Sequence, residues 1–173
     1  LFIGNSLPIR TLEKFCPNLD KKINVYSNRG ASGIDGLIAS AMGVSYNKKT
    51  ERNILILGDV SFFYDMNALL IAAQYKINLS IIIINNQGGQ IFNTLPYSNK
   101  IDDSLESYWI TPVDLSIREC SKLYKANYSS LKSIEEIENK LDENLDTKGL
   151  NIIEIECDYK NTQKIEAEIN NEF

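Results

Sequence analysis

Two short polar stretches stand at the ends of apolar runs, and both carry residue types that bind metals. Gly58-Asp59 follows the run 53–57, "NILIL", and Asn85-Asn86-Gln87-Gly88-Gly89 follows the run 79–84, "LSIIII". A carboxylate, a carboxamide oxygen and a backbone carbonyl are hard oxygen donors. A set this small suits Mg²⁺ whose shell is completed by phosphate oxygens and water. The stretch between them has room for one helix, so Asp59 and Asn86 belong to neighbouring strand ends of one strand-helix-strand unit. Gly88-Gly89 lets a ligand approach the backbone closely, and amides beside a helix start accept a diphosphate. Ser61 and Gln90 stand next to them with further hydrogen-bonding groups. Each stretch alone has a plain structural reading, since an Asp after a strand caps a helix and Asn/Gly sequences make turns. Their pairing after two buried runs is what favours a site.

The elements that must position these residues are legible from the pattern. Short strands are expected at 1–4, 23–26, 53–57, 79–84, 127–129 and 151–157. Helices are expected at 7–15, where Pro8 suits a first turn, and at 32–45, 65–75, 114–124, 133–145 and 161–171. "SIEE" at 133–136 reads as a capping box, and 100–111 as a polar, aromatic loop. The apolar runs are continuous rather than alternating, which marks strands covered on both faces of a parallel sheet. Strand and helix alternate along the chain. The expectation is one α/β domain over residues 1–173, doubly wound, with a mainly parallel six-stranded sheet and helices on both faces. Ligands of such sheets bind outside the carboxyl ends of the strands, where both polar stretches fall.

Composition narrows the chemistry. The 173 residues are 43% hydrophobic, and the net charge is −5, which argues against nucleic acid as a partner. No apolar run approaches the length of a membrane-spanning helix. Histidine is absent, which removes Ser-His-Asp and Cys-His catalysis and the usual zinc ligands. Cys16, Cys120 and Cys157 are scattered and odd in number, as in structural thiols of a reduced cytoplasmic protein. The chain starts at "LFIGNS", close to or inside a strand, and reads as a fragment of a longer polypeptide.

A glycine-rich segment, "SNRGASGIDG" at 27–36, spaces its glycines G-x-x-G-x-x-G and not as the dinucleotide-binding G-x-G-x-x-G. Taken with the two strand ends it makes the chain recognisable. "GD…NN" resembles the diphosphate- and metal-binding motif of thiamine diphosphate enzymes. "GNSLPIR", "SNRGASGIDG", "GDVSFFYDMNAL" and "NNQGGQIFNTLP" together resemble one family among them. That family is the 2-succinyl-5-enolpyruvyl-6-hydroxy-3-cyclohexene-1-carboxylate synthases of menaquinone biosynthesis, in their C-terminal cofactor domain. The resemblance is dense from Gly4 to Pro96 and looser beyond. Val60 departs from the glycine that most thiamine diphosphate enzymes carry, and an apolar residue there is a trait of the synthases.

The resemblance implies that Asp59, Asn86 and the Gly88 carbonyl bind Mg²⁺ or Mn²⁺. It implies that Gly58, Ser61, Gly89, Gln90, Ile91 and Phe92 contact thiamine diphosphate, and that Ile34 props the cofactor in its bent form. Ser6, Arg10 and Arg29 would receive substrate carboxylates, with Phe92 and Leu95 as the apolar wall. Ile34, Arg29 and Arg10 would then be the catalytic side chains of this domain. The substrates implied, 2-oxoglutarate and isochorismate, are dicarboxylates, which a guanidinium grips bidentately. By residue type alone, Ile34 and Phe92 would be core, each Arg could serve the surface, and Asp35 and Asp65 would cap helices or face solvent. Trp109 and the tyrosines read as packing. The family's activating Glu belongs to the N-terminal domain of a partner subunit in a homodimer or homotetramer, so this domain alone would be inactive. Two other readings stay open: an acetolactate synthase or 2-oxoacid decarboxylase relative, and a non-catalytic α/β assembly domain.

Overall fold

The computed structural model describes residues 1–16, 22–96, 103–159 and the single positions 161, 165 and 168. Five of the apolar runs form a wholly parallel sheet: β1 (Phe2–Ile3), β2 (Ile54–Gly58), β3 (Leu79–Asn85), β4 (Asn127–Leu131) and β5 (Leu150–Glu156). Their order across the sheet is β1-β2-β3-β5-β4. The sixth expected strand is reduced to a single parallel bridge, in which Tyr26 meets Phe2 at the outer edge of β1. Ile23 and Val25 are exposed there, so the segment has no second face to bury and gains nothing from extending the ladder.

The connections explain the two faces. The chain leaves β1 toward the Tyr26 edge through α1 (Leu7–Phe15), and leaves β2 in the opposite direction. Right-handed crossovers therefore put α1 on one face of the sheet and the β2–β3 helices on the other. α7 (Ile134–Asp146), on the return from β4 to β5, shares the α1 face, and its Ser133 caps the helix by accepting from the Glu136 amide. The main core lies on the other face. Phe62, Ile81, Ile83 and Ile152 meet Leu37, Ile38 and Met42 of α2 (Leu37–Asn47) there, with Ile117 of α6 (Ile117–Leu123). The α7 face has a thinner core of Ile82, Leu131 and Ile153, backed by Ile137, Leu141 and Leu145.

Three boundaries differ from the sequence expectation, and all three shape the site. α3 (Asp59–Asp65) starts directly from the last residue of β2, and a 3₁₀ turn (Met66–Ala68) links it to α4 (Leu69–Tyr75). Phe62, fully buried, pins this early turn to the core. α2 starts at Leu37 rather than near Ser32, because Gly36 takes φ 69° and its cap comes from another helix. Asp65 Oδ2 accepts from the Ile38 and Ala39 amides, at 2.6 and 3.0 Å. Residues 103–110, expected as loop, form α5 (Asp103–Ile110). Ile110 is buried, and the Trp109 ring lies 5.6 Å from that of Phe92. The helix expected at 161–171 lies outside the described residues except at three positions. Among the described residues no helix is long and apolar enough to cross a membrane.

Replacing Ile83, fully buried in the central strand, with Ala should lower the unfolding free energy by roughly 2–5 kcal/mol in urea titrations, since the sheet on either side prevents collapse into the cavity.

Candidate functional site

Because the chain leaves β1 and β2 in opposite directions, a crevice opens at their carboxyl ends, the place where doubly wound sheets bind ligands. A cleft of about 790 Å³ occupies it. Its floor is built by Ser6 after β1, by Gly58 at the end of β2 with Asp59, Val60 and Ser61 beyond it, and by Asn86, Gly88 and Gly89 after β3. Gly58 pairs with Ile84 in the ladder, so Asp59 emerges level with Asn85. The link is direct: Asp59 Oδ2 accepts from the Gly88 amide at 2.8 Å.

Asp59 is 2% exposed, and none of the ion pairs among the described residues involves it. Burial pushes its carboxyl above the ordinary carboxylate range, against the lowering effect of the amides of Gly88, Val60 and Asp59 itself. The charge of Glu154 adds a smaller upward push. Asn86 is half-buried beside it, and its carboxamide makes no hydrogen bond among the described residues. A buried carboxylate with no cationic partner among the described residues, an uncommitted carboxamide oxygen and a glycine carbonyl fit a divalent cation.

The glycine turn is shaped for close approach. Gly89 sits at φ −76°, ψ 58° with the Gln90 amide donating to the Gly88 carbonyl at 2.8 Å, an inverse γ-turn. Gly88 has φ 125°, and a Cβ there would lie 2.7 Å from the Ile110 carbonyl oxygen and 2.5 Å from its Cγ2. The same carbonyl accepts from the Gly89 amide at 2.6 Å. The C-terminal residue of α5 thus clamps the turn. Gln90 lines the cleft, but its carboxamide is committed to the loop: Nε2 donates to the Asn86 carbonyl at 3.0 Å, and Oε1 accepts from Asn93. Ser6, Gln87 and Thr111 all take positive φ in these loops, a concentration of strained backbone that marks functional sites.

Of the residues singled out in the sequence, Ser6, Ile34, Gly58, Asp59, Ser61, Asn86, Gly88, Gly89, Gln90, Ile91 and Phe92 line this one cleft. Phe92 is 45% exposed within it. Arg10, Arg29 and Leu95 do not line it. The two arginines nevertheless converge on the same turn after β1. Arg10 donates to the Ser6 carbonyl at 2.8 Å, and Arg29 to Asn5 Oδ1 at 3.1 Å. Asn5 is a residue the sequence reading passed over. It is 2% exposed and donates to the carbonyls of Asn28 and Gly33, at 3.0 and 2.7 Å. It ties the glycine-rich segment, and Ile34 with it, to the end of β1. Its position in "GNS" at a strand end was the available signal. Nothing in the sequence singled out Ile110.

A family model described as "Thiamine pyrophosphate enzyme, C-terminal TPP binding domain" matches residues 14–155, most of the chain. The chain belongs to this family. A 2-succinyl-5-enolpyruvyl-6-hydroxy-3-cyclohexene-1-carboxylate synthase from Listeria monocytogenes serotype 4b (strain F2365) is 45% identical over 155 residues, which is 90% of this chain and 26% of the relative. The synthase of the same name from Oceanobacillus iheyensis is 44% identical over 158 residues, 91% of this chain and 27% of the relative. The chain thus spans about a quarter of the length of the curated relatives it matches. The crystal structure of benzoylformate decarboxylase from Polynucleobacter necessarius superposes with a TM-score of 0.71 at 15% identity, over 91% of this chain and 30% of that one. At that identity the likeness shows a shared fold.

Two substitutions test the site. Gly88→Ala forces both a strained φ and a clash with the Ile110 backbone, and should cost about 1–3 kcal/mol in chemical denaturation. Asp59→Asn keeps an acceptor for the Gly88 amide but removes the buried charge. In the metal-free protein, the raised folded-state pKa means that stability falls as pH rises from the ordinary carboxylate value through the raised one. Asp59→Asn should therefore unfold at a higher temperature than wild type at pH 7, with the gain vanishing at acid pH, and should lose any stabilisation by Mg²⁺.

Proposed function

We propose that this chain is the cofactor domain of a thiamine diphosphate- and metal-dependent synthase that decarboxylates 2-oxoglutarate and joins the remaining four-carbon unit to isochorismate, in the route to menaquinone. The observation that carries the reading is the Asp59–Gly88 link at the β2 and β3 ends, beside an uncommitted Asn86, in a chain 45% identical to a synthase of that name.

Asp59, Asn86 and the Gly88 carbonyl would hold Mg²⁺ or Mn²⁺, whose positive charge would offset the buried carboxylate and favour binding of a diphosphate. The hydroxyl of Ser61 and the backbone around Gly58, Gly89 and Gln90 would receive the remaining diphosphate oxygens. Ile34, fixed through Asn5, would support the cofactor from the glycine-rich side, with Ile91 and Phe92 opposite. When bound, thiamine diphosphate supplies the electron sink for decarboxylating a 2-oxo acid and for the carbon–carbon bond that follows. The apolar walls of the cleft keep water from the reacting carbon.

Arg10 and Arg29, both anchored on the Asn5-Ser6 turn, are the cations suited to the substrate carboxylates at the rim. Phe92 and Leu95 would contribute apolar contact. Two positive charges beside the β1 turn would locally offset the net charge of −5, which otherwise repels dicarboxylates. The Glu that activates the cofactor would come from the N-terminal domain of a partner subunit in a homodimer or homotetramer, so this domain alone would be inactive. The absence of His leaves an enzyme of this kind to rely on its cofactor for acid–base and electrophilic chemistry.

Calorimetric titration of the full-length protein with thiamine diphosphate should give heat with Mg²⁺ and none with EDTA, and Asp59→Ala should abolish it. The loaded enzyme should release CO₂ from 2-oxoglutarate and form product only with isochorismate. Binding with turnover of a different 2-oxo acid would overturn the substrate assignment, and failure to bind would overturn the cofactor reading.

A further inference from the structure

Among the described residues only two ionisable side chains are buried, Asp59 and Glu154. The site accounts for the first. Glu154 is 7% exposed, near the carboxyl end of β5, and no ion pair among the described residues involves it. Its two oxygens are both occupied. Oε1 accepts from Asn85 Nδ2 at 2.6 Å, and Oε2 accepts from the Tyr128 hydroxyl at 2.5 Å. Burying a carboxylate without a cation opposes folding, and an apolar residue would suit a strand whose neighbours at 152 and 153 are fully buried isoleucines. Stability does not account for Glu154.

What it holds does. Asn85 is the last residue of β3, and its Oδ1 accepts from the Gln87 amide at 3.3 Å, an Asx turn. Through that turn the chain adopts φ 62° at Gln87 and φ 125° at Gly88, and so brings the Gly88 amide onto Asp59, with Asn86 and the Gly88 carbonyl in the same loop. A carboxamide can face either way in such a turn. Both Glu154 oxygens act as acceptors, so the NH₂ end of Asn85 faces Glu154 and its carbonyl end is left for Gln87. A hydroxyl or a carboxamide at 154 would not impose that direction. Tyr128, donating to the second oxygen from β4, keeps the carboxylate aimed.

The geometry points to Glu154 as a positioning residue for the metal half of the site: by accepting from Asn85 it fixes the turn that presents Asn86 and Gly88 to the divalent cation. This rests on the thiamine diphosphate reading above.

The test is the Mg²⁺ concentration required for half-maximal thiamine diphosphate binding by the full-length protein, measured calorimetrically, with thermal unfolding of each variant alongside. Asn85→Asp alone sets two carboxylates face to face and should raise the Mg²⁺ requirement at least about tenfold. Asn85→Asp combined with Glu154→Gln exchanges donor and acceptor at constant charge, and should return the requirement to within about threefold of wild type. Glu154→Leu leaves the Asn85 and Tyr128 donors without their acceptor and, in the folded protein, should need about tenfold more Mg²⁺. The inference is overturned if Glu154→Leu binds like wild type, or if the double variant, folded, is no better than Asn85→Asp. A wild-type protein that binds no cofactor at any Mg²⁺ concentration would overturn the functional reading, and this inference with it. Wild-type binding with unaffected variants would overturn this inference alone.

Discussion

A single hydrogen bond, from the Gly88 amide to a buried Asp59 carboxylate, joins the ends of β2 and β3 and sets the constraint that the rest of the structure meets. A carboxylate removed from water needs donors or a cation. Here the donors are backbone amides, and they exist only because α3 starts on Asp59 itself and because the chain after β3 turns back sharply enough to aim Gly88 at it. The parallel register supplies the alignment by setting Gly58 against Ile84.

Much of what surrounds this bond serves to hold it. Ile110 clamps the glycine turn from α5, Gln90 closes the loop on its own carboxamide, and Glu154 orients Asn85 from the next strand. On the opposite side of α3, Asp65 caps α2 and ties the segment carrying Ile34 to the same short helix. The two acidic residues that bound α3 thus do different things. One faces a cleft with an unneutralised charge, and the other is consumed in hydrogen bonds to a neighbouring helix. Residue type did not separate them; position relative to the strand ends did.

The unequal cores fit the same picture. The face carrying α2, α3, α4 and α6 is filled by large buried side chains, so the loops above it are anchored. On the α1 face the core is thin, and Ile56 and Ile84 remain half-buried along the wall of the cleft. Apolar surface left open beside a polar floor is what a ligand with a heterocycle at one end and a diphosphate at the other requires.

The amino-acid sequence by itself determined the α/β class, the parallel sheet and the identity of the residues on the cleft floor. It could do so because buried strands, capping boxes and strand-end motifs are local signals with fixed periods and spacings. It also carried the family resemblance through "SNRGASGIDG" and "NNQGGQIF". Only the tertiary structure decided the rest. The edge strand shrank to one bridge where Ile23 and Val25 stay exposed among the described residues, and α5 formed because its buried Ile110 and paired Trp109 dock beside the glycine turn. Asn5, Ile110 and Glu154 became part of the site through partners far away in the chain. A hydrogen bond that spans such a distance leaves no period in the sequence. Burial creates the demand for a partner, and the fold decides which residue meets it.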